Sequence, residues 1–368
     1  MREKQDVVVV GAGPAGAACG TILADRGVQT LVLDRARFPR SKACAGGLSP
    51  GARASLEELG AWDDVVLQTQ HVDSIRLESE RAIPVTVRGA AEGFVINRRT
   101  LDGLLFDRLR ATDAEVREGV TVSGVSPTSG GALVKARGPG GPIEIEARWV
   151  VVAAGAAWRR RMERRSRRFI HSMMARYRGV DHDRHAIELQ FTDELYPLYG
   201  WVFPEPGGVC NVGIGIESDR IAGRPLGDLF RSFVDTRLGS RMDGATMIGR
   251  PSGFPIMAAA WPGEAGEPGI LLAGEAARLV NPVTGEGISP ALRSGILAAR
   301  SIEPNLHDGA GPERCVALYG ASLRREVGPS LLVGEALRSL GVRFLDWVFE
   351  YRHYLRGGRR ILAFVANV

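Results

Sequence analysis

Cysteine is scarce in this chain: Cys19, Cys44, Cys210 and Cys315 are the four in 368 residues, far apart and with no C-x-x-C pair. That spacing argues against a zinc site or an iron–sulfur cluster, so any redox cofactor has to be organic. No run reaches the ~18 apolar residues that would span a bilayer. A secretory leader is not expected, because the apolar segment Val7 to Val10 runs straight into a glycine loop instead of a small-residue cleavage site. The expectation is a cytoplasmic protein with free thiols. There is no internal repeat or low-complexity linker, and 45% hydrophobic with 24% charged residues is an ordinary globular composition, enough for one large or two interleaved domains. Acidic residues are outnumbered, giving a net charge of +5 that is concentrated in arginine-rich stretches such as residues 158–168. Nothing resembling a nucleic-acid recognition module accompanies that charge. Two readings stay open: a solvated basic face, or a surface for anionic lipid head groups or phosphorylated ligands, with peripheral contact at the inner face of a membrane.

What the chain does have is a βαβ opening. A strand over Asp6 to Val10 leads into Gly11-x-Gly13-x-x-Gly16, a helix through about Arg26, and a second strand from Thr30 to Asp34. Glycines at that spacing permit a tight turn and close approach of backbone to a pyrophosphate at the helix N-terminus. Asp34, about twenty residues on, is placed to accept hydrogen bonds from an adenosine ribose. Ala15, Arg35 and Val120 complete the candidate nucleotide set.

A second element favours FAD over NAD. Leu271-Leu272-Ala273-Gly274-Glu275 is a short apolar strand ending in Gly-acid, which would put a carboxylate near a ribityl chain. Pro282-Val283-Thr284-Gly285-Glu286-Gly287-Ile288 follows, a glycine-rich helix start whose N–H groups, at Gly285, Gly287 and Ile288, face a flavin. These elements resemble the p-hydroxybenzoate hydroxylase-like flavoproteins, which usually carry Asp at the position of Glu275. The same resemblance makes Arg98 either a contact of the flavin ribityl and phosphates or a surface arginine. It also exposes a departure: Ala153-Ala154-Gly155-Ala156-Ala157-Trp158 lacks the acid and hydroxyl of Ala-Asp-Gly-x-x-Ser, which puts direct reduction by NAD(P)H in doubt.

The expected fold is α/β: a Rossmann-type FAD-binding domain with a parallel sheet, an antiparallel-sheet substrate domain and C-terminal helices. Ile75 and Leu77, then Ile83, Val85 and Val87, then Ile187, Leu189 and Phe191 alternate with polar residues as half-buried antiparallel strands do. Thr100 to Arg110 reads as a helix and Trp149 to Ala153 as a strand returning to the first domain. The expected boundaries are 1–62, 94–160 and 266–308 for a discontinuous FAD-binding domain, 63–93 and 161–265 for a substrate (cap) domain, and 309–368 for a helical region. In the last, Leu337, Phe344, Leu345, Val348 and Leu355 form one stripe.

Two further motifs resemble the geranylgeranyl reductase family, over roughly residues 1 to 300. Lys42-Ala43-Cys44-Ala45-Gly46-Gly47 is similar to the family's Lys-x-Cys-Gly-Gly, with Ala45 inserted. Tyr199-x-Trp201-x-Phe203-Pro204, eight residues, then Gly213-x-Gly215 fits Y-x-W-x-F-P-x8-G-x-G without departure. The resemblance implies that Lys42, Cys44, Ala45 and Gly46 lie beside the flavin, that Cys44 faces its isoalloxazine, and that Gly47, Tyr199, Trp201, Phe203 and Pro204 contact substrate. Aromatic residues at alternate strand positions share one face, so the stripe either lines a slot for a long apolar molecule or packs as core.

The implied activity is hydride transfer from reduced FAD to carbon–carbon double bonds of an isoprenoid, with Cys44, Tyr199 and Trp201 as candidate catalytic residues. Its electrons would come from NAD(P)H, a reductase or a ferredoxin. A flavin-dependent halogenase is a rival, but its Trp-x-Trp-x-Ile-Pro differs from Tyr199 to Pro204, and no lysine occurs between Lys42 and Lys135. A monooxygenase acting on a natural product needs few fixed side chains and stays open. An electron-transfer flavoprotein would pair with iron–sulfur clusters, which this chain cannot supply.

Overall fold

Valines 7 to 10 form the inner strand of a parallel sheet, and burial on both faces is why they read as a continuous run and not as an alternation. The computed structural model describes residues 3–80, 82–156, 158, 169–221, 223–257, 265–308 and 311–340. Residues 159–168, with most of the arginine-rich stretch, and 341–368, with Phe344, Leu345, Val348 and Leu355, lie outside the described residues.

The first sheet runs β15 (Gly266–Glu267), β16 (Ile270–Leu272), β9 (Gly141–Val152), β1 (Glu3–Val10), β2 (Thr30–Asp34), β6 (Glu115–Glu118). From β16 to β6 every pairing is parallel. Two antiparallel strands, β7 (Thr121–Thr128) and β8 (Gly131–Gly138), extend it from the lower half of β9. Helix α1 (Pro14–Asp25) and the helix Ile288–Asp308 pack together on one face. The helix Pro312–Glu326 is tied to β16 by the buried Tyr319, whose hydroxyl donates to the Leu272 carbonyl at 2.7 Å.

The second sheet runs β14 (Thr246–Ile256), β10 (Ile170–Arg178), β13 (Val209–Glu217), β12 (Gly200–Glu205), β11 (Ala186–Phe191), β4 (Gln70–Ser79), β5 (Ala82–Val95), β3 (Gly47–Leu48). It is antiparallel except where β11 meets β4 in parallel. More than ninety residues separate those two strands, so no hairpin fixes their relative direction. One face packs Val202, Val212 and Ile214 against Leu229, Phe230 and Phe233 of the helix Leu226–Phe233. The other looks toward the parallel sheet. β11 shows how the two faces differ: Ile187 and Leu189 are only half-buried, whereas Glu188 and Gln190 are buried behind them. Glu188 is held there by Arg241, at 2.7 and 2.8 Å.

Strands of the first sheet come from residues 3–34, 115–152 and 266–272, and those of the second from 47–48, 70–95 and 170–256. β3 departs from the expected segmentation, since Gly47 and Leu48 fall in the 1–62 segment yet pair with Val95 and Phe94 of the second sheet. The chain between β2 and α2 (Pro50–Glu58) therefore bridges the two layers.

Candidate active site

A cavity of about 770 Å³ lies between the two sheets. At one end is the glycine loop. Gly11 has φ +101°, and a Cβ there would lie 2.7 Å from the Ala153 carbonyl oxygen. A Cβ on Gly16 would lie 1.7 Å from the Gly11 oxygen, so Gly16 is what lets the helix start directly against the turn. Gly16 supports the loop from behind and does not face the cavity. Asp34, at the end of β2, accepts from the Ala12 and Ala36 amides, both at 2.7 Å.

Beside this loop the charge is positive. Arg98 is buried, not on the surface, and makes a two-pronged ion pair with Asp102 at 2.8 and 2.9 Å. Burial opposes the Arg98 charge, but the surrounding groups, Asp102 foremost, together raise the guanidinium pKa. Asp102 also takes Arg40 at 3.1 Å, and the Arg40 Nη2 sits 3.3 Å from where a Gly13 Cβ would be. Two guanidiniums share one carboxylate, which leaves an excess positive charge next to a helix N-terminus. That arrangement fits a pyrophosphate. On the ribityl side Lys42 lies 3.6 Å from Glu275 and 5.0 Å from the Phe254 ring centroid. Burial pushes the Lys42 ammonium pKa down, with Glu275 opposing. Glu275 accepts in turn from the Met257 amide at 3.0 Å. These residues fit the adenosine, phosphates and ribityl chain of FAD.

Cys44 lies on the bridging segment. Its sulfur takes the Gly46 amide at 3.4 Å. Its carbonyl accepts from Asn211 Nδ2 at 2.9 Å, and the Gly46 carbonyl accepts from the Ile96 amide at 3.0 Å. Asn211, 1% exposed, also accepts from Trp201 Nε1 at 2.9 Å. The loop and the indole therefore hang on one amide.

The far end of the cavity is the apolar face of the second sheet. Tyr199 precedes β12, and Trp201 and Phe203 follow at alternate positions, all three lining the cavity. Trp201 pairs in register with Gly213, where a Cβ would come within 2.1 Å of the indole. The first glycine of the G-x-G is thus the space in which the tryptophan lies. Tyr199 donates its hydroxyl to the Thr284 carbonyl, and burial pushes its pKa up, keeping it a neutral donor. Pro204 does not reach the cavity: it alternates with Trp201 and Phe203, pairs with Cys210 and is buried on the reverse side.

Among the expected cofactor contacts, Gly11, Gly13, Ala15, Asp34, Arg35 and Val120 line the cavity at the nucleotide end. Lys42, Cys44, Ala45, Gly46, Arg98, Gly274 and Glu275 line its middle, with Gly285, Gly287 and Ile288. Gly47 lines it near Phe203. Arg40, Ser49 and Glu286 line it too and Asn211 stands behind it on the Cys44 carbonyl; none of the four was singled out from the sequence. Their partners are 62, 237, 167 and 237 residues away for Arg40–Asp102, Ser49–Glu286, Asn211–Cys44 and Glu286–Ser49, so no local pattern announces them.

An FAD binding domain family matches residues 4–185. Menaquinone reductase of Mycobacterium tuberculosis is 31% identical, over 94% of this chain and 94% of its own length. Digeranylgeranylglycerophospholipid reductase 1 of Methanopyrus kandleri is 34% identical, over 80% of this chain and 79% of its own. Among solved structures, a geranylgeranyl bacteriochlorophyll reductase-like protein from Thermoplasma acidophilum superposes with a TM-score of 0.83 at 24% identity, covering 95% of this chain and 91% of that one.

Proposed function

Because the chain belongs to the geranylgeranyl reductase family of FAD-dependent oxidoreductases, we propose that it reduces carbon–carbon double bonds in the polyprenyl chain of a lipid. The observation that carries this reading is the continuity of one cavity from the glycine loop to an apolar, aromatic sheet face. From β4 to β14 that face is roughly 24 Å across at about 4.8 Å per strand, room for an extended chain of several isoprene units. Its walls offer Ile75, Ile187, Leu189, Met174 and Phe254 to such a chain. Menaquinone and digeranylgeranylglycerophospholipid differ in head group and share polyprenyl character, and that shared part is what an apolar slot selects.

Reduced FAD supplies the hydride when bound. Everything else falls to the chain's own residues. An isolated trisubstituted alkene accepts hydride poorly, so positive charge has to develop on its more substituted carbon as a proton arrives at the neighbour. Trp201, pressed onto Gly213, and Tyr199 present aromatic faces to that charge. The sheet face excludes water that would otherwise quench it. Asn211 and the Ile96 amide hold the Cys44 loop between the two ends of the cavity.

Ala154 and Trp158, which line the cavity where the acid and hydroxyl of related flavoproteins would stand, favour electron delivery by a separate reductase or ferredoxin. A lipid substrate calls for peripheral contact with a membrane surface. Among the described residues no helix is long and apolar enough to cross one.

Anaerobic mixing of dithionite-reduced holoenzyme with digeranylgeranylglycerophospholipid or with menaquinone tests the reading. Flavin reoxidation should accompany gain of a hydrogen pair in the polyprenyl chain, measured by mass spectrometry. Reoxidation without that gain, or reduction confined to the quinone ring, would exclude alkene reduction.

A further inference from the structure

Glu286 has no role in the reading above. It lies between Gly285 and Gly287 of the flavin loop, where any residue would serve the backbone, yet its side chain lines the cavity. Its Oε1 accepts the Ser49 hydroxyl, and Ser49 is itself fixed as the N-cap of α2, accepting from the Ala52 amide at 3.4 Å. The Glu286 amide donates to Thr284 Oγ1 at 3.2 Å, while the Thr284 carbonyl takes the Tyr199 hydroxyl. The carboxyl is thus built into the same small network as Tyr199. Among the described residues no Lys, Arg or His side chain pairs with Glu286, and its Oε2 has no protein partner. Burial pushes its carboxyl pKa up, the Ser49 hydrogen bond opposing only in part.

A desolvated carboxyl with one neutral donor and no counter-ion holds its proton more tightly than an exposed one. With Oε1 engaged by Ser49, the acidic hydrogen belongs on the free Oε2. An alkene is a very weak base, and a carboxylic acid starts from an ordinary pKa of about 4.3 against about 8.5 for a thiol, so even raised by burial it is the better placed of the two to hold a proton at neutral pH and still give it up. Acid strength separates Glu286 from Cys44.

We propose that Glu286 is the catalytic acid of this cavity, donating its Oε2 proton to one carbon of the substrate double bond while hydride from the reduced cofactor reaches the other. This rests on the alkene-reductase reading. The Oε2–H bond breaks with its electron pair left on Glu286. The π pair forms the new C–H bond to that proton. Hydride forms the second C–H bond, the alkene being reduced by two electrons and the flavin oxidised by two. The Glu286 carboxylate then regains a proton from water.

Glu286→Gln and Glu286→Asp holoenzymes test the assignment. Gln keeps an oxygen for Ser49 and has no proton to give. Oxidised wild type at neutral pH should show the infrared carbonyl band of an un-ionised carboxylic acid, absent in Glu286→Gln. Flavin content and reduction by dithionite should match wild type, whereas reoxidation by digeranylgeranylglycerophospholipid should fall about 10²–10⁴-fold, with partial recovery in Glu286→Asp. A Gln variant within a few-fold of wild type overturns the proposal, as does a spectrum without the band. So does loss of flavin from that variant, which would make Glu286 a cofactor ligand. If wild type itself is reoxidised by neither lipid, the alkene-reductase reading falls and the acid role with it. If wild type turns over and Gln does too, only the acid role falls.

Discussion

Gly213→Ala puts a methyl group where the Trp201 indole lies. The added Cβ would be 2.1 Å from Cζ2 and 2.5 Å from Cε2 of the ring, against about 3.5–4.0 Å for carbons in contact. The shortfall, roughly 1.5 Å, is too large for a strand to absorb by flexing, so the indole has to rotate off the sheet. Its Nε1 then leaves Asn211 Oδ1, now at 2.9 Å, at about 1 kcal/mol for that hydrogen bond. Overpacking strain adds about 1–3 kcal/mol. The expected total is about 2–4 kcal/mol, visible as a fall in Tm of several degrees. The glycine loop, Asp34 and Arg40 are untouched, so flavin content should hold while alkene-dependent reoxidation drops with the displaced Trp201. Trp201→Phe removes the colliding atoms. In that background Gly213→Ala should cost at least 1 kcal/mol less, a coupling that a double-mutant cycle resolves. Wild-type Tm and reoxidation in Gly213→Ala, or strict additivity with Trp201→Phe, would refute this account of the G-x-G.

Arg40→Ala should weaken FAD binding roughly 10–100-fold, the loss of one charge-assisted hydrogen bond at about 1.5–3 kcal/mol, without unfolding the chain, because Arg98 still satisfies Asp102; titration of apoprotein with FAD reads it. Gly16→Ala should instead destabilise the fold, since its Cβ meets the Gly11 carbonyl oxygen at 1.7 Å, and a variant with wild-type Tm would contradict the close turn-to-helix contact. Cys44→Ala and Cys44→Ser should both retain flavin and slow reoxidation by polyprenyl lipid; rates within a few-fold of wild type for both would leave Cys44 as packing. Glu286 has its folded pKa above the unfolded value near 4.5. Its contribution is therefore fully present below the unfolded pKa and lost as pH rises through the folded one. The Tm of wild type relative to Glu286→Gln should fall as pH rises from the ordinary carboxylate range, and a flat or rising difference would show that the carboxyl is not desolvated.

The nucleotide end was legible because its chemistry is local: strand, Gly11-x-Gly13-x-x-Gly16, helix and Asp34 are set by neighbouring backbone. Tyr199, Trp201 and Phe203 were legible as a stripe, but which residues flank them was not. Asn211 falls in the eight-residue spacer between Pro204 and Gly213, and only the register of β12 with β13, together with the Cys44 carbonyl, gives it work. Alternation in β11 was visible, yet apolar Ile187 and Leu189 turned out less buried than Glu188 and Gln190. An apolar face that lines a cavity keeps part of its surface open, whereas polar residues on the packed side are covered. Pro204 was assigned by its place in a motif, and the two-residue period of a strand turns it away. Glu286 drew no assignment from the sequence because its partner Ser49 is 237 residues away.

The order of strands in the first sheet has a consequence for how the chain comes to be folded. β1 has β9 for a neighbour, and β9 has β16, so the edge of the sheet that receives the cofactor is not closed until residue 272 has been made. The amides of Gly285 to Ile288 come later still. At about 5–20 residues per second, a nascent chain waits roughly a quarter of a minute to a minute after its glycine loop emerges before the opposite wall exists. Until β9 is made, at residue 152, the valines of β1 have a partner in β2 alone, and from then until residue 272 it is β9 that presents an open edge. Long-range parallel pairing of this kind is slow. Cofactor capture should accordingly come late in biosynthesis, and truncation ahead of residue 270 should leave an open, aggregation-prone sheet instead of a smaller flavoprotein.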